Sequence, residues 1–276
     1  MSVLLTCLKI GVLATIGLSL LACQSAENLS SILSSDDNSG EQGLLVQSES
    51  VAATATVATK VSPPATTPYP RRPFTLTDQV KPGSSFYEFR ARLQQAVRTR
   101  DAKFIRAIAA SDIKLSFGPP MKLDELEIDR PTSLFWQRLE RIISTGCAPY
   151  EAPPGKSEQI QTWACPHVFQ ASLGEPFSDV YIVGSNINVR SRPHADTPVV
   201  AVVSNEVVKS DPHGFSALSD SQRAAMQTFD GWQPIIAPNG QRGFVSSRFA
   251  YVPAGYRGLF ENRGGTWKMT VFITGD

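Results

Sequence analysis

The sequence predicts an α+β fold: an N-terminal helical or α+β domain, then a small β-barrel, then a C-terminal β-hairpin. Three observations carry this. Apolar residues recur at helical spacing between residues 85 and 100, and again between 132 and 145. From Val180 to Pro253 the chain breaks instead into short apolar runs separated by turn residues, as the strands of a small barrel would. Residues 256–276 then read as two strands around Gly264-Gly265.

The chain opens with VLLTCLKIGVLATIGLSLLA, in which Lys9 is the only charge, a short basic-then-apolar run of the export-signal type. It closes on Leu20-Leu21-Ala22-Cys23, which resembles the lipobox of bacterial lipoproteins. The resemblance implies cleavage of residues 1–22 and acylation of Cys23, and hence a lipid-anchored envelope protein with its globular part in the periplasm. Because Gln24 is not an acidic residue that would retain it at the inner membrane, the outer membrane is the expected address. The alternatives are an uncleaved signal anchor and a secretory signal cut elsewhere. Residues 23–72 follow as a Ser, Thr, Ala and Pro-rich stretch with no aromatic before Tyr69, the composition of a disordered tether. About 50 such residues extend to roughly 160 Å when stretched and average on the order of 40 Å as a coil.

An α+β domain is expected over residues 73–178. Its first helix begins near Ser85, with Glu88 completing a capping box, and buries Phe86, Phe89, Leu93, Ala96 and Val97. A second starts with Asp101 as N-cap and buries Phe104, Ile105 and Ile108. Ile113 to Phe117 alternates like a half-buried strand and stops at Gly118-Pro119-Pro120. A third helix, about Thr132 to Thr145, stacks Phe135, Leu139, Ile142 and Ile143 and ends at Gly146. Cys147 and Cys165 are the two cysteines left once the signal and anchor are assigned, and in an exported chain they point to a disulfide, contributing roughly 3 kcal/mol. The competing reading makes Cys165 a nucleophile served by His167, which requires a thiolate poised by an adjacent base.

Residues 179–253 carry the clearest pattern. Ile187-Asn188-Val189-Arg190-Ser191 leads to Pro193, a Val-rich run spans Val199 to Val203, and Trp232, Asn239-Gly240 and Gly243-Phe244-Val245 follow. Asn239-Gly240 between Ile235-Ile236 and Phe244-Val245 predicts a hairpin with a type I′ turn. In this order the elements resemble the bacterial SH3-like (SH3b) domain, with two departures. Phe244 stands where the family has Trp, and an insert over 209–230 includes a helix capped by Ser219 with Gln222. The resemblance implies binding of cell-wall peptide or a protein partner. A ligand groove would draw on Asn188, Arg190 and Arg192 with Trp232, Arg242 and Phe244, an aromatic floor with a cationic rim. Asn188 and Arg190 could equally serve to support the turn before Pro193, and the insert could cover the groove.

Residues 254–276 are surplus to the barrel. With the opening helices and the Ile113 strand they faintly resemble a cystatin-like, nuclear-transport-factor-like domain, into which the barrel would then be inserted; otherwise they form a hairpin packed on the barrel. The near-balance of 26 Lys plus Arg against 25 Asp plus Glu argues against a nucleic-acid partner. No zincin, nucleophile-elbow, phosphate-loop or dinucleotide motif occurs, and His167, His194 and His213 are scattered, so neither a metal nor a cofactor is expected. The acidic pairs Asp124-Glu125 and Glu127-Asp129 read as a solvated face, although a glycosidase needs only two carboxylates that meet in space. The expectation is therefore a non-enzymatic lipid-anchored envelope protein that binds peptidoglycan or a protein partner. A wall hydrolase with catalytic groups in the N-terminal domain and a purely structural envelope scaffold are the alternatives.

Overall fold

Three stretches, residues 65–150, 160–171 and 173–275, are described by the computed structural model, all within the unit Ala58–Asp276. The expected signal segment, Cys23 and the tether as far as residue 64 lie outside the described residues. Among those described, no helix is long and apolar enough to cross a membrane.

Helix α1 (Ser85–Thr99) is followed closely by α2 (Ala102–Ile108), and Arg100 between them takes a left-handed conformation. The α1 cap is Ser84 and not Ser85: the Ser84 hydroxyl accepts from the Tyr87 N–H at 3.2 Å. Asp101 caps α2 as expected, accepting from the Phe104 N–H at 2.9 Å. Strand β1 (Ala109–Lys114) starts directly off α2, four positions before the alternation in the sequence becomes visible. Helix α3 (Leu134–Ser144) leads to β2 (Ala148–Pro149) and β3 (Thr162–Cys165).

A second sheet takes up the middle of the chain with β4 (Asp179–Ile182), β5 (Ile187–Arg190), β6 (Val199–Val203) and β7 (Glu206–Ser210). The insert then supplies α4 (Pro212–Ser216) and α5 (Asp220–Ala225), before β8 (Trp232–Ile236), β9 (Arg242–Ser246) and β10 (Ala250–Tyr251) complete the sheet. Ser219 caps α5 in a reciprocal box with Gln222, at 2.9 and 3.2 Å, as the sequence predicts. The chain ends with β11 (Arg257–Arg263) and β12 (Thr266–Ile273), joined by Gly264-Gly265 with both glycines at positive φ.

The architecture is α+β. One sheet has five strands in the order β1-β12-β11-β3-β2, so the C-terminal hairpin forms its middle. All its pairings are antiparallel except β1 with β12. The other sheet, in the order β10-β4-β7-β8-β9-β5-β6, is antiparallel throughout; β10 and β6 are its two edges and do not pair with each other, so the ladder is not closed. It wraps an apolar cluster of Val180, Ile182, Val189, Val208, Ile235 and Val245.

Helices α1 and α3 cover the five-stranded sheet. Phe86 stacks on Trp163 at 4.7 Å and meets Trp267 edge-on at 4.9 Å, while Phe89 packs on Phe260 at 5.6 Å. Leu93, Leu139, Ile142 and Ile143 share this core, and each contributes about 1.5–3 kcal/mol on burial. Cys147, just beyond α3, faces Cys165 of β3 as a disulfide pair with Cα atoms 4.5 Å apart, as expected.

Two further details depart from expectation. In the β8–β9 turn only Gly240 has positive φ, so the turn is not type I′; the Gly240 N–H donates to Ala237 O at 2.8 Å and Ala237 N–H to Gln241 O at 2.9 Å. Residues 65–72, read as the end of the tether, are laid against the seven-stranded sheet instead of hanging free. Thr66 N–H donates to Gly240 O at 2.7 Å, Tyr69 N–H to Pro238 O at 2.9 Å and Val207 N–H to Arg72 O at 2.9 Å. Tyr69 anchors this strap by donating its hydroxyl to Ile236 O at 2.6 Å and accepting from Lys209 N–H at 3.1 Å.

Candidate binding site

Strand register decides which of the expected ligand residues share a face. Trp232 pairs with Ser246, Pro234 with Phe244 and Ile236 with Arg242, while Arg190 of β5 pairs with Phe244. Side chains alternate along a strand, so Asn188, Arg190, Trp232, Arg242 and Phe244 lie on one face. Val189 and Val245, fully buried, belong to the core on the other.

On that face a shallow groove of about 280 Å³ is lined by Asn186, Ile187, Asn188, Arg190, Trp232 and Phe249. Asn188 is exposed, and Arg190 and Trp232 are half-buried. Arg190 serves both readings offered by the sequence. It lines the groove, and its Nη1 donates to Thr197 O at 2.8 Å, pinning the loop that follows β5. The Thr197 hydroxyl donates in turn to Arg192 O and His194 O, at 3.1 and 2.9 Å. Arg192 is exposed on this loop and does not line the groove.

Arg242 and Phe244 are on the face but not in the groove. Arg242 pairs with buried Asp211 at 2.8 Å, and Asp211 also accepts from the His213 N–H at the start of α4. The insert thus covers the middle of β8: a Cβ on Gly214 would lie 2.9 Å from the Pro234 ring. What remains open is the Trp232 end. There the second aromatic is Phe249, which sequence reasoning missed because it falls in the turn after β9 and not at the Phe244 position of the motif.

Comparison with protein-family models, with curated proteins and with solved structures gave no match. The chemistry of the groove is therefore read from its own residues. Trp232 and Phe249 offer aromatic surface, Asn188 an amide and Arg190 a cation, a combination suited to a ligand with apolar and acidic groups side by side.

Cys165, Asp124 and Asp129 are engaged in other contacts. In a disulfide Cys165 has no thiolate to offer. The His167 ring is buried, and burial pushes its imidazole below the ordinary value of 6.5. Asp124 and Asp129 both pair with Arg106, at 2.8 and 2.6 Å, in an exposed cluster, and the Arg106 hydrogen bond holds the Asp129 carboxyl below its ordinary range. Among the described residues no three of His, Cys, Asp and Glu come together as a metal site.

Proposed function

We propose that this chain is a non-enzymatic, lipid-anchored protein of the bacterial cell envelope whose SH3-like segment binds peptidoglycan or an envelope protein. The observation that carries the binding reading is the convergence of Asn188, Arg190 and Trp232, residues of two separate sequence elements, on one open groove. The antiparallel sheet coiled around a single apolar cluster supports the SH3-like reading, although its ladder is open. The pairing of Cys147 with Cys165 favours a binder over a wall hydrolase, since it occupies the best nucleophile. An acylated Cys23 and the tether would hold the groove at a distance from the membrane.

Co-sedimentation of the full-length protein in detergent with isolated peptidoglycan sacculi tests this. Saturable binding that weakens at least about tenfold in Trp232→Ala, the loss typical of a buried aromatic contact, is the expected result, with folding checked by circular dichroism. Sacculus binding that persists unchanged in the folded variant would overturn the groove as the site. Absence of any binding would remove the wall as ligand, leaving an envelope protein recovered by crosslinking through position 188.

A further inference from the structure

Arg141 on α3 is only 5% exposed. Its Nε donates to Ser247 O at 3.0 Å, its Nη2 donates to Ala250 O, and its guanidinium stands 4.3 Å over the Tyr251 ring. Carbonyls and a ring hold the group in place without neutralising it. Among the described residues no carboxylate pairs with it, and its Nη1 makes no hydrogen bond. Burial pulls the guanidinium below its ordinary value, yet arginine keeps its proton in proteins. A buried cation without a counter-charge is costly, and an incoming carboxylate would relieve that cost.

Arg141 borders a cleft of about 340 Å³, whose walls include Phe177, Phe215, Met226, Gln233 and Val252. Gln233 is buried too and lines the same cleft as Arg141. Phe177 and Phe215 are 71% and 44% exposed, an uncovered apolar lip. Asp211 also borders the cleft, but Arg242 at 2.8 Å and the His213 N–H at 3.1 Å hold its carboxylate, so the uncompensated charge here is positive.

We infer that this cleft is a second binding site, which takes the C-terminal carboxylate of a peptide ending in an apolar residue. The carboxylate meets the free edge of Arg141 in a charge-assisted contact, the Gln233 amide lies alongside, and the last side chain packs on Phe215 and Met226. The volume is at the small end for ligand sites, which suits a chain terminus better than a segment running through. This site stands apart from the Trp232 groove and does not rest on its assignment.

Isothermal titration of the full-length protein in detergent with N-acetyl-Ala-Ala-Phe as free acid, as its C-terminal amide, and with N-acetyl-Phe-Glu-amide tests the inference. The free acid binds saturably, and both amides bind at least about tenfold more weakly. Arg141→Gln removes the preference for acid over amide, and Arg141→Lys retains part of it. Should Arg141→Gln fail to fold, Phe215→Ala at the exposed lip supplies the test by weakening the free acid several-fold. Trp232→Ala leaves peptide binding unchanged, which separates this site from the groove. No saturable binding at millimolar peptide, equal binding of acid and amide, equal binding of the internal glutamate, or an acid preference that survives in folded Arg141→Gln would each overturn it.

Discussion

Gly240 meets two demands at once. Its φ of +82° lies in the left-handed region, and its missing side chain lets the Thr66 carbonyl approach. Gly240→Ala should therefore cost at least about 1 kcal/mol, the left-handed penalty for an alanine, with the strap displaced in addition; urea unfolding measures it. The Asn239-Gly240 pair correctly marks a hairpin, but the turn type was illegible because it depends on a local bond. Asn239 Oδ1 accepts from Gln241 N–H at 3.1 Å and steadies Asn239 without positive φ. His167 gives a pH prediction. Its folded-state value is depressed by burial, so the unfolded chain takes up the proton first as pH falls. The contribution of neutral His167 is complete above about 6.5, declines as pH drops through the interval down to the folded-state value, and is then lost. Thermal melts between pH 8 and 5 should show this decline in the wild type and a flatter course in His167→Phe. That Asn188, Arg190 and Trp232 lie in strands was legible from local alternation, whereas their meeting on one face depends on the pairing of β5 and β8 with β9. The fate of Arg242 was not legible, since it depends on Asp211 in the insert, and Arg141 reads in sequence as one more charge on an amphipathic helix.

Among the elements, the helices were the most legible, because a 3.6-residue period and a capping side chain are both local signals. The start of β1 was harder to see. Ala109-Ala110 carries no alternation, and what makes it a strand is a parallel partner, β12, far along the chain. The Cys147–Cys165 pair joins the end of α3 to β3, two elements that the sheet and helix core already hold together. Replacing both residues with alanine should lower stability by roughly 3 kcal/mol, chiefly by freeing the unfolded chain, with wild type under reducing conditions matching the variant in a denaturant titration. The strap was illegible as structure, since Thr66 to Arg72 has tether-like composition and no periodicity; the one cue was Tyr69, the first aromatic after the signal. Tyr69→Phe removes a donor to Ile236 O and an acceptor for Lys209 N–H, and should cost about 1–3 kcal/mol, measured by hydrogen exchange at Lys209.

At the scale of the whole molecule, the chain leaves one sheet, builds the other over residues 179–251, and returns to place β11 and β12 in the middle of the first. Local patterns marked that hairpin as surplus to the strands of residues 179–253, but only long-range pairing decides where it docks. Ending the chain after Pro253 should thus remove the two strands that carry Phe260, Trp267, Met269 and Phe272, all core residues. The expected outcome is loss of the near-ultraviolet dichroism of Phe86 and Trp163, the stacked pair that remains in the shortened chain; its retention would mean that the first sheet does not need the hairpin. On the proposed lipid anchor, Cys23→Ser should move the protein from the membrane to the soluble envelope fraction, checked by fractionation and immunoblot. The strap has a mechanical consequence. A pull on the chain ahead of Thr66 loads the Thr66–Gly240 bond first and then the bonds of Tyr69 and Arg72 in turn, peeling the strap as a zipper before force reaches α1. Those bonds should break one after another while both sheets stay folded.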